Sequence, residues 1–274
     1  MPSYVLANDS DSDGFSDIED HFPSNPNEWL DTDFDGVGNN EDSDDDNDDI
    51  FDGEDEWPLD CVGSNAQTAI RYQAELDSMI FSGCESIKGE LFIYGDSLTS
   101  LDGLGKITFI GGGLTIERAS ALKNIDGLSN VEIISGDIYI FESAVSEVSI
   151  FNKIIELAGD ITLRGNRDLT DITGFKAIST LSGSITLREN VSLQKITGFN
   201  ELVAIDQDLE FKNNSLSNLS GLSKLVTIGG RLTLSQNYNH TPLKDFTDFT
   251  ALKNVGDGIG LAYCGLTSLN GLSE

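Results

Sequence analysis

The sequence predicts a mainly β fold: a right-handed β-solenoid of about eight coils of 23–24 residues, with an N-terminal cap helix and a preceding irregular, acid-rich segment. Three observations predict it. An apolar-x-apolar pair recurs at near-constant spacing from Leu91 to Leu261. A Leu-x-x-Leu/Ile-x-Gly-Leu/Phe signature follows most of those pairs. The first sixty residues hold 22 of the chain's 47 acids and none of its 16 Lys and Arg, so they are a different material from the rest.

The repeat comes first because it fixes the architecture. The first apolar column is Leu91, Leu114, Ile138, Ile161, Ile185, Leu209, Leu232 and Ile259, at spacings of 23, 24, 23, 24, 24, 23 and 27. The second is Ile93, Ile116, Ile140, Leu163, Leu187, Phe211, Leu234 and Leu261. The glycine signature runs through Gly103, Gly127, Gly174, Gly198, Gly221 and Gly271, with Ile150 and Asp248 standing in its place in two units. A third apolar pair closes most units, as in Ile107/Ile110, Ile178/Leu181 and Leu225/Ile228. Period-2 apolar pairs are short strands with one face inward, and three of them per unit make one coil that buries itself only against its neighbours. At about 4.8 Å per strand, eight coils make a rod on the order of 40 Å long. Leucine-rich repeats with helices are the rival geometry; β-branched residues in the later strands favour all-strand coils.

Asn166, Asn190, Asn214 and Asn237 each stand three places after the second apolar column. Stacked, they predict an amide ladder that satisfies turn backbone between coils. Cys264 occupies the same column and reads as a packed free thiol. Outward strand positions carry the aromatic pairs Phe92/Tyr94 and Tyr139/Phe141, a Thr column, and a basic file of Arg164, Arg188 and Lys212 beside Asp160 and Asp208. The aromatics suit recognition of a partner; cover by the cap or a neighbouring domain is the alternative. The longer seventh unit projects a loop with Tyr238 and His240, a second candidate site. The remaining acids of the solenoid read as scattered, without the paired carboxylates a glycan-cleaving enzyme needs.

In the first sixty residues the acids are spaced. Asp9, Asp11, Asp13, Gly14, Asp17 and Asp20 occupy relative positions 1, 3, 5, 6, 9 and 12. Asp31, Asp33, Asp35, Gly36, Asn39 and Asp42 repeat that register, and Asp44, Asp46, Asp48, Asp49, Asp52 and Asp55 repeat it again with Asp49 in place of Gly. Alternate carboxylates around a sharp turn suit calcium; an acidic disordered tail is the alternative. Loop starts 22 and 13 residues apart, with Pro23 and Pro26 in the longer gap, leave no room for the helices of EF-hands.

Between the two regions, Ser64-Asn65-Ala66-Gln67 looks like a capping box. Ala69, Tyr72, Leu76, Met79 and Ile80 follow at helical spacing, so a helix is expected over about 65–81. Cys61 and Cys84 bracket it and predict a disulfide in an oxidising compartment, with two free thiols as the alternative. The chain thus divides into 1–60, 61–88 and 89–274.

Two resemblances follow from these residues. The segment "NDSDSDGFSDIEDHFPSNP…DTDFDGVGNNED…DSDDDNDDIFDGEDEWP", over roughly residues 8–58, resembles thrombospondin type 3 repeats in their bacterial surface-protein form. That resemblance implies a string of calcium ions acting as a stiff spacer, and makes His21 a family position. Asp49 and Asn39 depart from its pattern. The runs "GDITLRGNRDLTDITGF", "GSITLRENVSLQKITGF" and "GRLTLSQN", within residues 61–272, resemble the receptor L-domain family, a leucine-rich-repeat-like β-solenoid of receptor ectodomains and microbial surface proteins.

The charge excludes some function classes. With −22 in residues 1–60 and −9 in the rest (25 acids against 16 bases), the total is −31, and phosphate or anionic-membrane attraction has no basic patch to use. No run of ~20 apolar residues is present to cross a bilayer. Two His, His21 and His240, leave little for histidine-based zinc or Ser-His-Asp chemistry. The expected role is a non-enzymatic, extracellular or cell-surface recognition or adhesion module: a calcium-stiffened stalk presenting a solenoid to a protein or carbohydrate ligand on another cell or surface. A purely structural spacer and a β-helix polysaccharide-active enzyme are the rivals. The absence of a leader before the acidic loops and the stop at Glu274 before a closing strand lead us to expect further domains of the same chain.

Overall fold

A computed structural model describes residues 8–15, 17, 20–32, 36–46, 51–54, 68–73, 76, 85–237 and 243–272. These residues include a β-solenoid of about eight turns, with almost no helix among them. The inward-facing pairs of the two apolar columns form the strands of a nine-stranded parallel sheet. Its members are Thr68–Ile70, Leu91–Tyr94, Leu114–Glu117, Ile138–Phe141, Ile161–Arg164, Ile185–Arg188, Leu209–Lys212, Leu232–Ser235 and Ile259–Ala262. We number the coils one to eight from Leu91–Tyr94 to Ile259–Ala262. The register pairs each first-column residue with the next, as in Ile161 with Ile185 and Ile185 with Leu209. Column residues therefore share one depth, and through coil seven they are essentially buried.

The third apolar pairs form two further parallel sheets. One joins Ser86–Ile87, Phe109–Ile110, Ile133–Ile134 and Glu156–Leu157; the other joins Thr180–Leu181, Ala204–Ile205, Thr227–Ile228 and Asn254–Val255. The side between is mixed. Glu147–Val148, Asp171–Ile172 and Lys195–Ile196 pair as strands, whereas Asp102–Leu104, Asp126–Leu128 and Ser220–Leu222 form single 3-10 turns. The signature glycines explain the tight stacking here. A Cβ on Gly198 or Gly221 would overlap the carbonyl oxygen of Gly174 or Gly198 in the coil below. Where the residue after that glycine is Phe, or Phe151 holds the equivalent place, the rings stack inside the core. Phe151 to Phe175 is 5.1 Å and Phe175 to Phe199 is 4.8 Å between centroids.

The expected cap differs from what is observed. Thr68–Ile70 is a strand that pairs in parallel with Leu91–Ile93, not the start of a helix. Thr68 and Ile70 alternate inward and extend the two buried columns, and pairing gives the open edge of coil one its hydrogen-bond partners. This tertiary gain outweighs the helical spacing of Ala69 and Tyr72. Helical backbone remains at Gln73 and Leu76, with Leu76 fully buried against the coil stack. The Cys61–Cys84 pairing, the helix residues Met79 and Ile80, and the loop residues Tyr238 and His240 lie outside the described residues.

Candidate functional site: the broad sheet and the acid-rich loops

The amide ladder forms as its spacing predicts. Asn166, Asn190, Asn214 and Asn237 are fully buried. Their Nδ2 groups donate to the carbonyls of Ile140, Leu163, Leu187 and Phe211 at 2.8–2.9 Å. Their Oδ1 atoms accept the backbone N–H of the residue one coil below in the same column: Ser143, Asn166, Asn190 and Asn214 at 3.0–3.2 Å. Each ladder residue follows a turn residue with positive φ: Gly165 (70°), Glu189 (60°), Asn213 (55°) and Gln236 (53°). Cys264 continues the column as a buried free thiol.

A second ladder escaped the sequence reading, which took the solenoid acids as scattered. Asp137, Asp160 and Asp208 stand at the strand-entry position of their coils. Asp137 accepts the N–H of Asp160 at 2.7 Å, Asp160 that of Ser184 at 2.6 Å, and Asp208 that of Arg231 at 2.7 Å. The signal was present as an acid immediately before the first apolar column. These carboxylates tie coil to coil, as the amides do on the other edge.

The outward face of the broad sheet carries the aromatic candidates. Phe92 and Tyr94 lie 5.2 Å apart and Tyr139 and Phe141 5.8 Å apart, all half-buried. The register places Thr115 between Phe92 and Tyr139, and Glu117 between Tyr94 and Phe141. The Arg71 guanidinium stands 5.5 Å over Tyr94, and that of Arg164 5.5 Å over Phe141. The two arginines of the basic file pair with Glu rather than with Asp160 and Asp208: Arg164 meets Glu189 at 3.1 Å, and Arg188 meets Glu210. That contact holds the Arg188 guanidinium above its ordinary pKa. At the strand-entry end, a hollow of about 500 Å³ is lined by Glu90, Thr115, Asp137, Tyr139, Asp160 and Thr162.

The three acidic loops share one backbone framework. The position-9 N–H donates to the carbonyl before position 1 in each: Asp17 to Asn8, Asn39 to Leu30 and Asp52 to Ser43, at 2.6, 3.0 and 3.0 Å. The position-9 side chain accepts in return from the position-2 N–H, as Asp17 does from Ser10, Asn39 from Thr32 and Asp52 from Asp45. The position-1 carboxylate accepts from the position-6 glycine, as Asp9 does from Gly14 and Asp31 from Gly36. Both glycines take positive φ, 106° and 94°. Asp33, Asp35, Asp48 and Asp55 lie outside the described residues.

In the first loop, one carboxylate oxygen from each of Asp9, Asp11 and Asp13 falls within 4.8 Å of the others. Asp11 Oδ2, Asp13 Oδ2, Asp31 Oδ1 and Glu28 Oε1 are buried and accept no hydrogen bond. Burial, then the charges of Asp52, Asp42 and Asp46, pushes the Asp45 carboxyl up to about 7. Asp20 is also raised, first by burial. Asp17 is lowered, chiefly by the Ser10 hydroxyl. Asp42 and Asp44 accept and donate within their own turn at 3.1 Å, and Asp46 reaches Lys88 at 3.5 Å, joining the third loop to the first coil.

Residues 83–151 match the family model of the Receptor L domain. No curated protein and no solved structure shows a significant match to the chain. Receptor L domains are ligand-binding, non-enzymatic modules of extracellular receptor regions. No helix among the described residues is long and apolar enough to cross a membrane.

Proposed function

We infer that this chain is an extracellular recognition or adhesion module in which calcium-binding loops stiffen a stalk and the broad solenoid face binds a ligand. The observation that carries the reading is the pair of aromatic clusters, half-buried on the outward face of one sheet, within the stretch that matches the Receptor L domain. Ordered strands hold Phe92, Tyr94, Tyr139 and Phe141 in place, so binding costs them little side-chain entropy. A protein ligand fits the family match, and a carbohydrate fits the aromatic surface equally.

The loops fit calcium through their donor chemistry. Buried carboxylate oxygens with no proton donor call for a cation. Asp9, Asp11, Asp13 and Asp20 would hold an ion in the first loop, Asp31 and Asp42 in the second, and Asp44 and Asp46 in the third. Asp17, Asn39 and Asp52 keep the loop closed around it. The ion supplies positive charge that offsets carboxylate repulsion. Three ions would cut the −22 of residues 1–60 to about −16. Calorimetry with calcium, followed by glycan and peptide arrays in the calcium-bound state, tests the reading. Saturable calcium binding and a ligand lost on substituting Phe92, Tyr94, Tyr139 and Phe141 together by Ala are expected. Array hits unaffected by that substitution would leave the face as a spacer surface instead.

A further inference from the structure

The two aromatic pairs flank a single coil, whose outward residues are Thr115 and Glu117. Tyr94 and Phe141 stand on either side of Glu117, two strand spacings apart, or about 9.6 Å. Two van der Waals contacts of ~3.5–4 Å fill most of that width, so the gap admits one small or planar group. A cation centred above Glu117 would stand about 4.8 Å from each flanking strand, inside the ~6 Å reach of cation–π attraction.

The chain's own side chains indicate what these rings accept. Tyr94 and Phe141 each already carry a guanidinium at 5.5 Å. Arg164 belongs to, and Arg71 directly follows, a strand on the far side of its ring from Glu117, so neither guanidinium comes from the gap itself. Arg118 pairs with Glu117 at 3.4 Å and with Glu142 at 3.6 Å; its side chain is 67% exposed, so a visiting cation can take its place at Glu117 while Arg118 keeps Glu142. Beside the gap, Glu90, Asp137 and Asp160 line the hollow of about 500 Å³ at the entry end of the same strands. With Glu90, Glu117, Asp137 and Asp160 against Arg71 and Arg118, the near half of the face is aromatic and net acidic, while Arg164, Arg188 and Lys212 occupy the coils beyond it.

We propose that this gap binds the cationic head of an Arg or Lys side chain presented by a protein partner. Tyr94 and Phe141 form its walls and Glu117 its counter-ion, and the Glu90–Asp137–Asp160 hollow takes a neighbouring basic residue. The proposal rests on the reading that this face is the ligand surface, and narrows it to a basic protein segment. The test is calorimetric titration of the full chain, in calcium at low ionic strength, with tetra-arginine and with the neutral match tetra-citrulline. Tetra-arginine binds and tetra-citrulline does not. Glu117→Gln, and Tyr94→Leu with Phe141→Leu, each weaken binding roughly tenfold, whereas Glu54→Gln in the acid-rich segment leaves it unchanged. Glu117→Gln is isosteric and outward-facing, so it is the deciding variant.

Unchanged affinity in Glu117→Gln would place the attraction in the acid-rich segment and overturn the proposal. Equal binding of tetra-citrulline, or no binding of tetra-arginine, overturns it as well. Cellotetraose bound by wild type and lost in the Leu double variant, with no tetra-arginine binding, keeps the face as a ligand surface and removes the cation assignment. Neither probe bound, together with empty arrays, would end both readings.

Discussion

Asn190→Ala removes one rung of the amide ladder and leaves the strands on either side chemically unchanged. Asn190 is fully buried. Its Oδ1 accepts the Asn166 N–H at 3.0 Å and its Nδ2 donates to the Leu163 carbonyl at 2.9 Å. With Ala, the buried Asn166 N–H loses its acceptor, at about 1–3 kcal/mol, and the Leu163 carbonyl loses one donor, at about 0.5–1.5 kcal/mol. The expected loss is therefore about 2–4 kcal/mol, or roughly 5–15 °C in melting temperature for a domain of this size. Urea unfolding followed by far-ultraviolet circular dichroism, in excess calcium, measures it. Asn190→Asp keeps an acceptor but buries a carboxyl, so its penalty should shrink as pH falls and the acid is protonated. A loss below about 0.5 kcal/mol for Asn190→Ala would refute the claim that the ladder ties coil to coil, because an exposed position gives as much.

Three further outcomes are expected. Phe175→Ala breaks the stack with Phe151 and Phe199 and should cost about 3–5 kcal/mol by the same urea assay. Gly198→Ala forces a methyl onto the Gly174 carbonyl and should destabilise by roughly 1–3 kcal/mol, while Ala at Gly53, which meets nothing nearby, should not. Burial raises the Asp171 carboxyl above its ordinary value. The folded state then holds its proton more tightly than the unfolded chain, so this group's contribution declines as pH rises from the unfolded value through the folded one. Asp171→Asn should therefore melt higher than wild type at neutral pH, with the difference closing in acid.

The columns were legible because a solenoid repeats one local environment. Leu91, Leu114 and Ile138 share a register that spacing alone reveals. The Asn ladder was legible for the same reason, since a buried amide at constant offset has few other uses. The acidic ladder was missed because Gly113, Ser184 and Arg231 interrupt the column that holds Asp137, Asp160 and Asp208, and the shared job is a backbone bond that residue type does not announce. Thr68–Ile70 was misread because helical spacing in Ala69, Tyr72 and Leu76 is local, whereas the edge that captured the strand lies 23 residues away in sequence, at Leu91–Ile93.

By itself, then, the sequence determined the coil, its inward face and the loop register of the acids, because each is set by short-range periodicity. Only the tertiary structure decided which outward residues become neighbours. Tyr94, Glu117 and Phe141 are 23 and 24 residues apart in the chain, yet the parallel register sets them side by side. The physical reason is that stacking converts a spacing of one coil into a distance of about 4.8 Å. Whether a carboxylate then meets a ring, a cation or a backbone N–H depends on what the adjacent coils happen to present.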